Sequence, residues 1–133
     1  MTNVTLQIAS ISGISESCEI NFEQRSSIDV QIETQCLGTV TFTDNDLFGA
    51  LLKLRLQLEQ KGYLLLCNAA RKDAYPSRMA REMGGGRKIY LLTPGVQARR
   101  EDLVDIFGAA SLDQVGTVAK QHAFYENWIR SLK

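Results

Sequence analysis

The sequence predicts an α+β fold in which an N-terminal antiparallel β-meander continues into a mixed sheet, with two main helices packed against it. Three observations predict this class. Residues 4–42 alternate apolar and polar side chains, whereas residues 47–58 and 115–132 carry apolar side chains at spacings of three and four. Period two is typical of strands with one buried face, and spacings of three and four are typical of amphipathic helices. At 133 residues, the chain fits one domain over residues 1–133 that buries its core without metal or disulfide.

The meander is predicted as four strands with turns near residues 12–13, 25–27 and 37–38. The apolar positions are Val4, Leu6 and Ile8, then Cys18, Ile20 and Phe22, then Ile28, Val30 and Ile32, then Val40 and Phe42. The opposite faces carry Glu19, Asn21, Glu23, Asp29, Gln31 and Glu33. Such a face is ordinarily solvated, but it is also an acidic sheet surface that a basic partner could use.

A long helix is predicted next, because residues 43–46 offer N-cap side chains and early carboxylates. Its main stripe is Leu47, Leu51, Leu54 and Leu58, widened by Phe48, Leu52 and Leu56. Gly62 ends this helix, and the apolar run Tyr63–Cys67 predicts a strand buried on both faces.

The remaining elements are shorter until the C-terminal helix. Ser77 is placed to cap a short helix over residues 78–83, and strands are predicted at residues 88–92 and 103–107. A capping-box pattern at residues 111–114 precedes the last helix. The stripe of that helix is Val115, Val118, His122, Tyr125, Ile129 and Leu132, which predicts a packing role for the single histidine. Trp128, on the same helix, is expected to pack or to lie at an interface.

The most distinctive stretch is the polar, basic and glycine-rich segment Cys67–Tyr90. Residues 71–100 contain eight bases and two acids, although the formal net charge of the chain is zero. These bases form a local positive face, unless they pair with acids elsewhere in the chain.

A partner- or anion-binding site is predicted in this segment, because ligands bind beyond the carboxyl ends of strands in open α/β sheets. Glycines 84–86 allow close backbone approach, and guanidinium groups bind anions as forks. The candidate residues are Asn68, Arg71, Asp73, Tyr75, Ser77, Arg78, Arg81, Arg87 and Lys88. The sequence GGGRK matches neither a phosphate loop nor a dinucleotide fingerprint. Residues 84–86 therefore also fit a plain helix-to-strand connection.

The residue types give no catalytic or metal constellation, so neither catalytic residues nor a cofactor is predicted. Three widely spaced cysteines and one histidine form no metal-ligand spacing, and Cys67 beside basic residues is the best thiol candidate. Unpaired cysteines indicate a reducing, cytoplasmic compartment. Apolar runs stay short of the roughly 18 residues that a membrane span needs, and residues 1–10 lack a secretory signal. A pI near 6.6 disfavours nucleic acid as the partner.

The stretch LLLCNAARKDAYPSRMAREMGGGRKIYLL, followed by LVDIF, resembles small bacterial immunity proteins of polymorphic and contact-dependent growth inhibition toxin systems. The resemblance covers about the second half of the chain. It implies a cytosolic, non-enzymatic protein that binds one cognate toxin domain and blocks its activity, and it assigns no individual residue a role.

Two alternatives stay open from the sequence. One is a small anion- or nucleotide-binding enzyme, with its site at the end of strand 63–67 and in the loop 84–88. That reading requires Arg71, Asp73 and Arg87 to converge on a concave pocket. The other is a subunit of a symmetric homo-oligomer, in which basic and acidic surfaces pair between copies.

Overall fold

The meander is built from the first four strands. A computed structural model describes residues 2–133. The strands are β1 Thr2–Ser10, β2 Ser15–Gln24, β3 Ile28–Thr34 and β4 Gly38–Asp44, and all neighbouring strands are antiparallel. Cross-strand partners such as Leu6 and Cys18, or Ile20 and Ile32, place the apolar period-two positions on one face. The predicted α+β class and the N-terminal meander are therefore confirmed.

Helix α1, Leu47–Gln60, packs on the apolar face of this sheet. The helix begins where predicted because the Asp46 side chain accepts a hydrogen bond from the Gly49 N–H at 2.7 Å. The four leucines of the predicted main stripe are buried. Leu56, which was expected to widen this stripe, is exposed, and Arg55 is buried instead. Position 55 lies four residues after Leu51 and three before Leu58, so helix geometry turns it inward.

The later strands form a second sheet instead of extending the first one. Strand β5, Tyr63–Leu65, pairs with β1 and completes the first sheet in the order β4-β3-β2-β1-β5. Strand β5 thus lies at the end of that sheet, and Tyr63 and Leu64 are only half-buried, so the predicted burial on both faces is wrong. A 3-10 helix at Asn68–Ala70 then redirects the chain.

The second sheet has the order β6-β7-β8 and is also antiparallel, with strands Ala74–Tyr75, Lys88–Leu91 and Leu103–Asp105. Helix α2, Arg78–Gly84, connects β6 to β7 and has no buried residue. Helix α3, Val118–Ser131, closes the chain and packs beside β6. The sequence predicts that the meander continues into one mixed sheet. The structure instead has two antiparallel sheets, which a short 3-10 helix connects.

Helix α3 presents a different face from the predicted one. Thr117 caps the helix by accepting from the Lys120 N–H, so it begins three residues later than the predicted Val115. His122 and Ile129 are exposed, and the fully buried residue is Gln121. The side facing the core includes Gln121, Tyr125, Trp128 and Leu132. The predicted burial of His122 is therefore wrong, although its ring meets the Tyr75 ring edge-on at 6.3 Å and its imidazole lies 3.1 Å from the Glu126 carboxylate.

Candidate functional site

Strand β5 leads directly into Asn68, the first predicted site residue. Its side-chain amide donates to the Asp105 carbonyl at 3.0 Å, and it lies against Gly108. The backbone N–H of Asn68 also donates to the Gly108 carbonyl at 2.8 Å. Asn68 therefore holds the 105–108 loop against the end of β5.

Arg71, Asp73 and Arg87 do not converge on one pocket. Arg71 forms a two-pronged pair with Asp73, with both N–O distances at 2.8 Å, and this hydrogen bonding raises the pKa of the guanidinium. Arg87 instead pairs with Asp105 at 3.2 Å and lies over the Phe107 ring. Asp73 meets the Leu92 end of β7, while Arg87 precedes its beginning. At roughly 3.3 Å per residue, the backbone of Arg87 is about 16 Å along the strand from Leu92, the residue that contacts Asp73.

Ser77 and Arg81 fix α2 to the rest of the molecule. The Ser77 hydroxyl accepts from the Ala80 N–H at 2.9 Å, which confirms its predicted capping position. The Arg81 guanidinium lies 2.9 Å from the buried Asp46 carboxylate and over the Phe48 ring. Both side chains are thus engaged in holding α2 and α1 together.

The loop of glycines 84–86 docks on the beginning of α1. Gly86 has φ +72°, and an added Cβ would lie 2.8 Å from the Phe48 nitrogen, so only glycine fits without a shift. The Gly85 carbonyl accepts from the Leu47 N–H at 2.8 Å. The N–H groups of Gly85 and Gly86 both donate to the Ala80 carbonyl. These amides are therefore already used, and the anion-binding alternative stays a prediction that no described contact supports.

Tyr75 belongs to a row of stacked aromatic side chains. Its ring lies 4.0 Å from the Tyr125 ring at 11°, and Phe48 meets it edge-on at 5.6 Å. Burial raises the pKa of the Tyr75 phenol. Tyr125 stacks in turn on Trp128, whose indole N–H donates to the Val96 carbonyl. Beside this row lies an open cleft of about 350 Å³. Among the predicted residues, the cleft brings together Tyr75, Ser77 and Arg78.

Most bases of the 71–100 segment are paired with carboxylates. The pairs are Arg71 with Asp73, Arg78 with Glu82, Arg81 with Asp46, Arg87 with Asp105 and Arg99 with Glu101. Lys72, Lys88 and Arg100 have no carboxylate within 4.0 Å among the described residues. Lys88 and Arg100 flank the exposed side chains of Met79 and Met83 in a shallow groove. The methionine spacing of four on a short helix was the sequence signal for this groove, of which the predicted site residues include only Ser77 and Lys88.

Neither Cys67 nor His122 is positioned for nucleophilic chemistry. Cys67 is fully buried, and burial raises the pKa of its thiol to about 11, so the reactive thiolate is suppressed near neutral pH. His122 is exposed and lies 3.1 Å from Glu126. Within residues 2–133, no three His, Cys, Asp or Glu side chains are grouped to hold a metal ion.

The outer face of the first sheet carries carboxylates that lie opposite one another. Glu19 lies directly opposite Glu33, and Glu23 lies directly opposite Asp29. Hydroxyls supply part of the compensation, since Thr5 donates to Glu19 and Thr43 donates to Asp29. Over residues 2–44 the sequence has six acids and one base, Arg25, which lies in a turn and pairs with Glu23. The outward strand positions of the described meander thus carry carboxylates without a lysine or arginine.

Comparison with models of protein families and with curated protein sequences gives no match. Within the part of the chain described by the structure, no helix is long and apolar enough to cross a bilayer.

Proposed function

We propose that this chain is an immunity protein, which binds a cognate bacterial toxin domain and blocks its activity without catalysing a reaction. The resemblance of residues 64–92 and 103–107 to such proteins supports the class. The acidic outer face of the first sheet, defined by Glu19, Glu23, Asp29 and Glu33, supports a binding mode. The proposal places the protein in the cytoplasm, whose reducing conditions suit the free thiols of Cys18, Cys36 and Cys67.

The observation that carries the proposal is the pairing of like charges across β2 and β3. Side chains directly opposite each other on antiparallel strands have Cβ atoms about 4.5–5.5 Å apart, and like charges there destabilise the sheet. Glu19 with Glu33 and Glu23 with Asp29 are two such pairs. A cationic surface that covers the face would be attracted to both carboxylates of each pair and would offset their mutual repulsion. Binding of a basic partner is therefore favoured.

The expected partner surface is basic, as the substrate-binding surfaces of nucleic-acid-processing domains are. A protein that covers such a surface excludes the substrate by occupying the same charges. Charge complementarity also speeds association, so the association rate should fall as salt concentration rises.

The test is protection of bacterial growth when the protein is co-expressed with the toxin domain encoded beside its gene. The wild-type chain should protect, and it should co-purify with that domain. The variant Glu19→Gln, Glu23→Gln, Asp29→Asn and Glu33→Gln should lose both properties. Because two repulsive pairs disappear and the new amide oxygens can still accept from Thr5 and Thr43, this variant should be about as stable as the wild type in urea denaturation. A loss of protection then cannot be attributed to misfolding.

The matched control removes the same charge from other surfaces, with Glu82→Gln, Glu101→Gln, Asp113→Asn and Glu126→Gln. These side chains are exposed. The control should protect and bind like the wild type. Failure of the wild-type chain to bind or neutralise the toxin domain would reject the function. Full protection by the neutral-face variant would reject the binding mode alone.

A further inference from the structure

Strand β4 forms an open edge of the first sheet. It pairs with β3 on one side, and no other strand within residues 2–133 pairs with its other side. The strand is seven residues long, and between Gly38 and Asp44 it contains neither proline nor a charged side chain. Natural sheets usually protect such edges with charges, prolines, bulges or short strands, because unpaired N–H and C=O groups invite a further strand.

The opposite edge of the same sheet shows this protection. Strand β5 is three residues long, and the chain beyond it is covered, because Cys67 forms a bridge with Ala109 and Leu66 accepts from the Ala110 N–H. In the part of the chain that the structure describes, the β4 edge lacks such cover over residues 39–41, whereas at its end Lys53 donates to the Thr43 carbonyl and pairs with Asp44.

The sequence of β4 is self-complementary. Residues 39–43 read Thr-Val-Thr-Phe-Thr, so Thr41 lies at the centre of the strand. A two-fold axis through Thr41 would pair all seven residues of β4 with those of a second copy. In that register Val40 lies opposite Phe42 of the other copy on the inner face, and threonines meet threonines on the outer face. Apolar pairs and Thr–Thr pairs are both favourable across antiparallel strands.

The side chains on the inner side of this edge support the same partner. Val40 and Phe42 are only half-buried, although they face the core side of the sheet. Leu56 of α1 is 46% exposed and lies on the same side of the helix as Lys53. Lys53 donates to the Thr43 carbonyl and pairs with Asp44, so this side of α1 lies beside β4. A second β4 strand would cover this apolar strip.

We infer that two copies of the chain pair through their β4 edges to form a continuous antiparallel sheet with two-fold symmetry. The partner is a second copy because a strand that repeats its own pattern about its centre matches itself. The contact is isologous, so it closes at two subunits. One strand pair with its flanking side chains buries less than the roughly 1,200–2,000 Å² of standard stable interfaces, so we expect a dimer that dissociates at micromolar concentration. This interface leaves the acidic outer face uncovered, and its existence does not depend on the proposed function.

Charge variants at the symmetry axis test the interface. Thr41 is exposed, and its substitution by Glu or Lys places two like charges directly opposite each other in the dimer. In sedimentation velocity, the wild-type mass should rise with concentration from 14.8 kDa towards twice that value. Thr41→Glu and Thr41→Lys should each stay at the single-chain mass. An equimolar mixture of the two should dimerise, because glutamate then meets lysine across the axis.

The control is Gln31→Glu, which adds the same charge directly beside Thr41 but on β3, one strand away from the edge. This variant should dimerise like the wild type. A wild-type protein that stays at 14.8 kDa across the micromolar range would overturn the inference. Dimerisation of Thr41→Glu alone, or a mixture that stays monomeric while the wild type dimerises, would also overturn it.

Discussion

Arg55→Met removes a guanidinium that is 2% exposed and that joins three segments of the chain. One of its nitrogens donates to the Ala69 carbonyl at 3.1 Å and to the Gln121 side-chain oxygen at 2.6 Å. The other donates to the Gly116 carbonyl at 3.2 Å. Gln121 extends the network, since its amide nitrogen donates to the carbonyls of Ala69, Arg71 and Ala74. Helix α1, the 3-10 helix, β6 and α3 thus meet at two polar side chains.

The cost of the substitution follows from the acceptors that it leaves without donors. The Ala69 carbonyl keeps its bond from Gln121, but the Gly116 carbonyl and the Gln121 oxygen lose their described donor. An unsatisfied buried acceptor costs about 1–3 kcal/mol. Part of this is offset because the burial that lowers the pKa of Arg55 also disfavours its charged form. We expect a loss of about 2–5 kcal/mol in unfolding free energy, the range in which buried charged networks fail.

Urea denaturation followed by circular dichroism measures this loss directly. A loss of about 3 kcal/mol corresponds to a fall of about 10 °C in melting temperature, at about 3–4 °C for each kcal/mol in a chain of this size. The matched control is Lys53→Met on the same helix, where an exposed cation is removed and the expected loss is below about 1 kcal/mol. Equal losses for Arg55→Met and Lys53→Met would refute the reasoning, because the buried acceptors would then contribute nothing.

Two further predictions concern the thiols and the glycine loop. Burial raises the pKa of Cys18 to about 12 and that of Cys67 to about 11, so above pH 9 the unfolded thiols lose protons before the folded ones. The free energy of unfolding should therefore fall as pH rises from 9 towards 11, by up to about 1.4 kcal/mol per pH unit for each thiol. Urea titrations of the double variant Cys18→Ala/Cys67→Ala should show a smaller fall over the same pH range. Gly86→Ala should lower the free energy of unfolding by at least about 2 kcal/mol, because Gly86 has a left-handed φ and the new Cβ would meet the Phe48 nitrogen. Gly84→Ala should raise it by up to about 1 kcal/mol, because Gly84 is helical and the new Cβ would lie in open space. Identical melting temperatures for the two alanine variants would contradict the assigned docking of the loop.

The sequence predicts those parts of the fold that depend on local periodicity. Alternation over residues 4–42 locates the four strands, and the carboxylate of Asp46 locates the beginning of α1. It locates β5 along the chain but not within the sheet, because a short apolar run has the same pattern at the centre of a sheet and at a protected edge. The face of α3 is misjudged for a related reason. Gln121 is polar and buried only because Arg55 and three carbonyls surround it, and these partners are distant in sequence.

The candidate site shows the same limit for charges and glycines. The sequence shows the eight bases of residues 71–100, but it cannot show that Arg81 reaches back to Asp46 and Arg87 reaches forward to Asp105. It shows three consecutive glycines, but their amide partners are fixed by the end of α2. Asn68, Arg71, Asp73 and Ser77 are polar for structural reasons that emerge only when the segments are packed.

The number of charged residues in a segment therefore differs from the charge that ion pairs within the chain leave uncompensated. Five bases of the 71–100 segment have a carboxylate within 4.0 Å, so much of that positive charge is compensated inside the chain. On the outer face of the meander, the cross-strand register sets carboxylate against carboxylate. Arg25 pairs with Glu23 from the adjoining turn. Glu19, Asp29 and Glu33 have no lysine or arginine within 4.0 Å among the described residues. The basic segment is the most noticeable feature of the sequence, but the proposed partner would meet the carboxylates of the acidic sheet face. Because paired charges are screened and unpaired charges of one sign reinforce each other, the field that steers a partner should come from the meander.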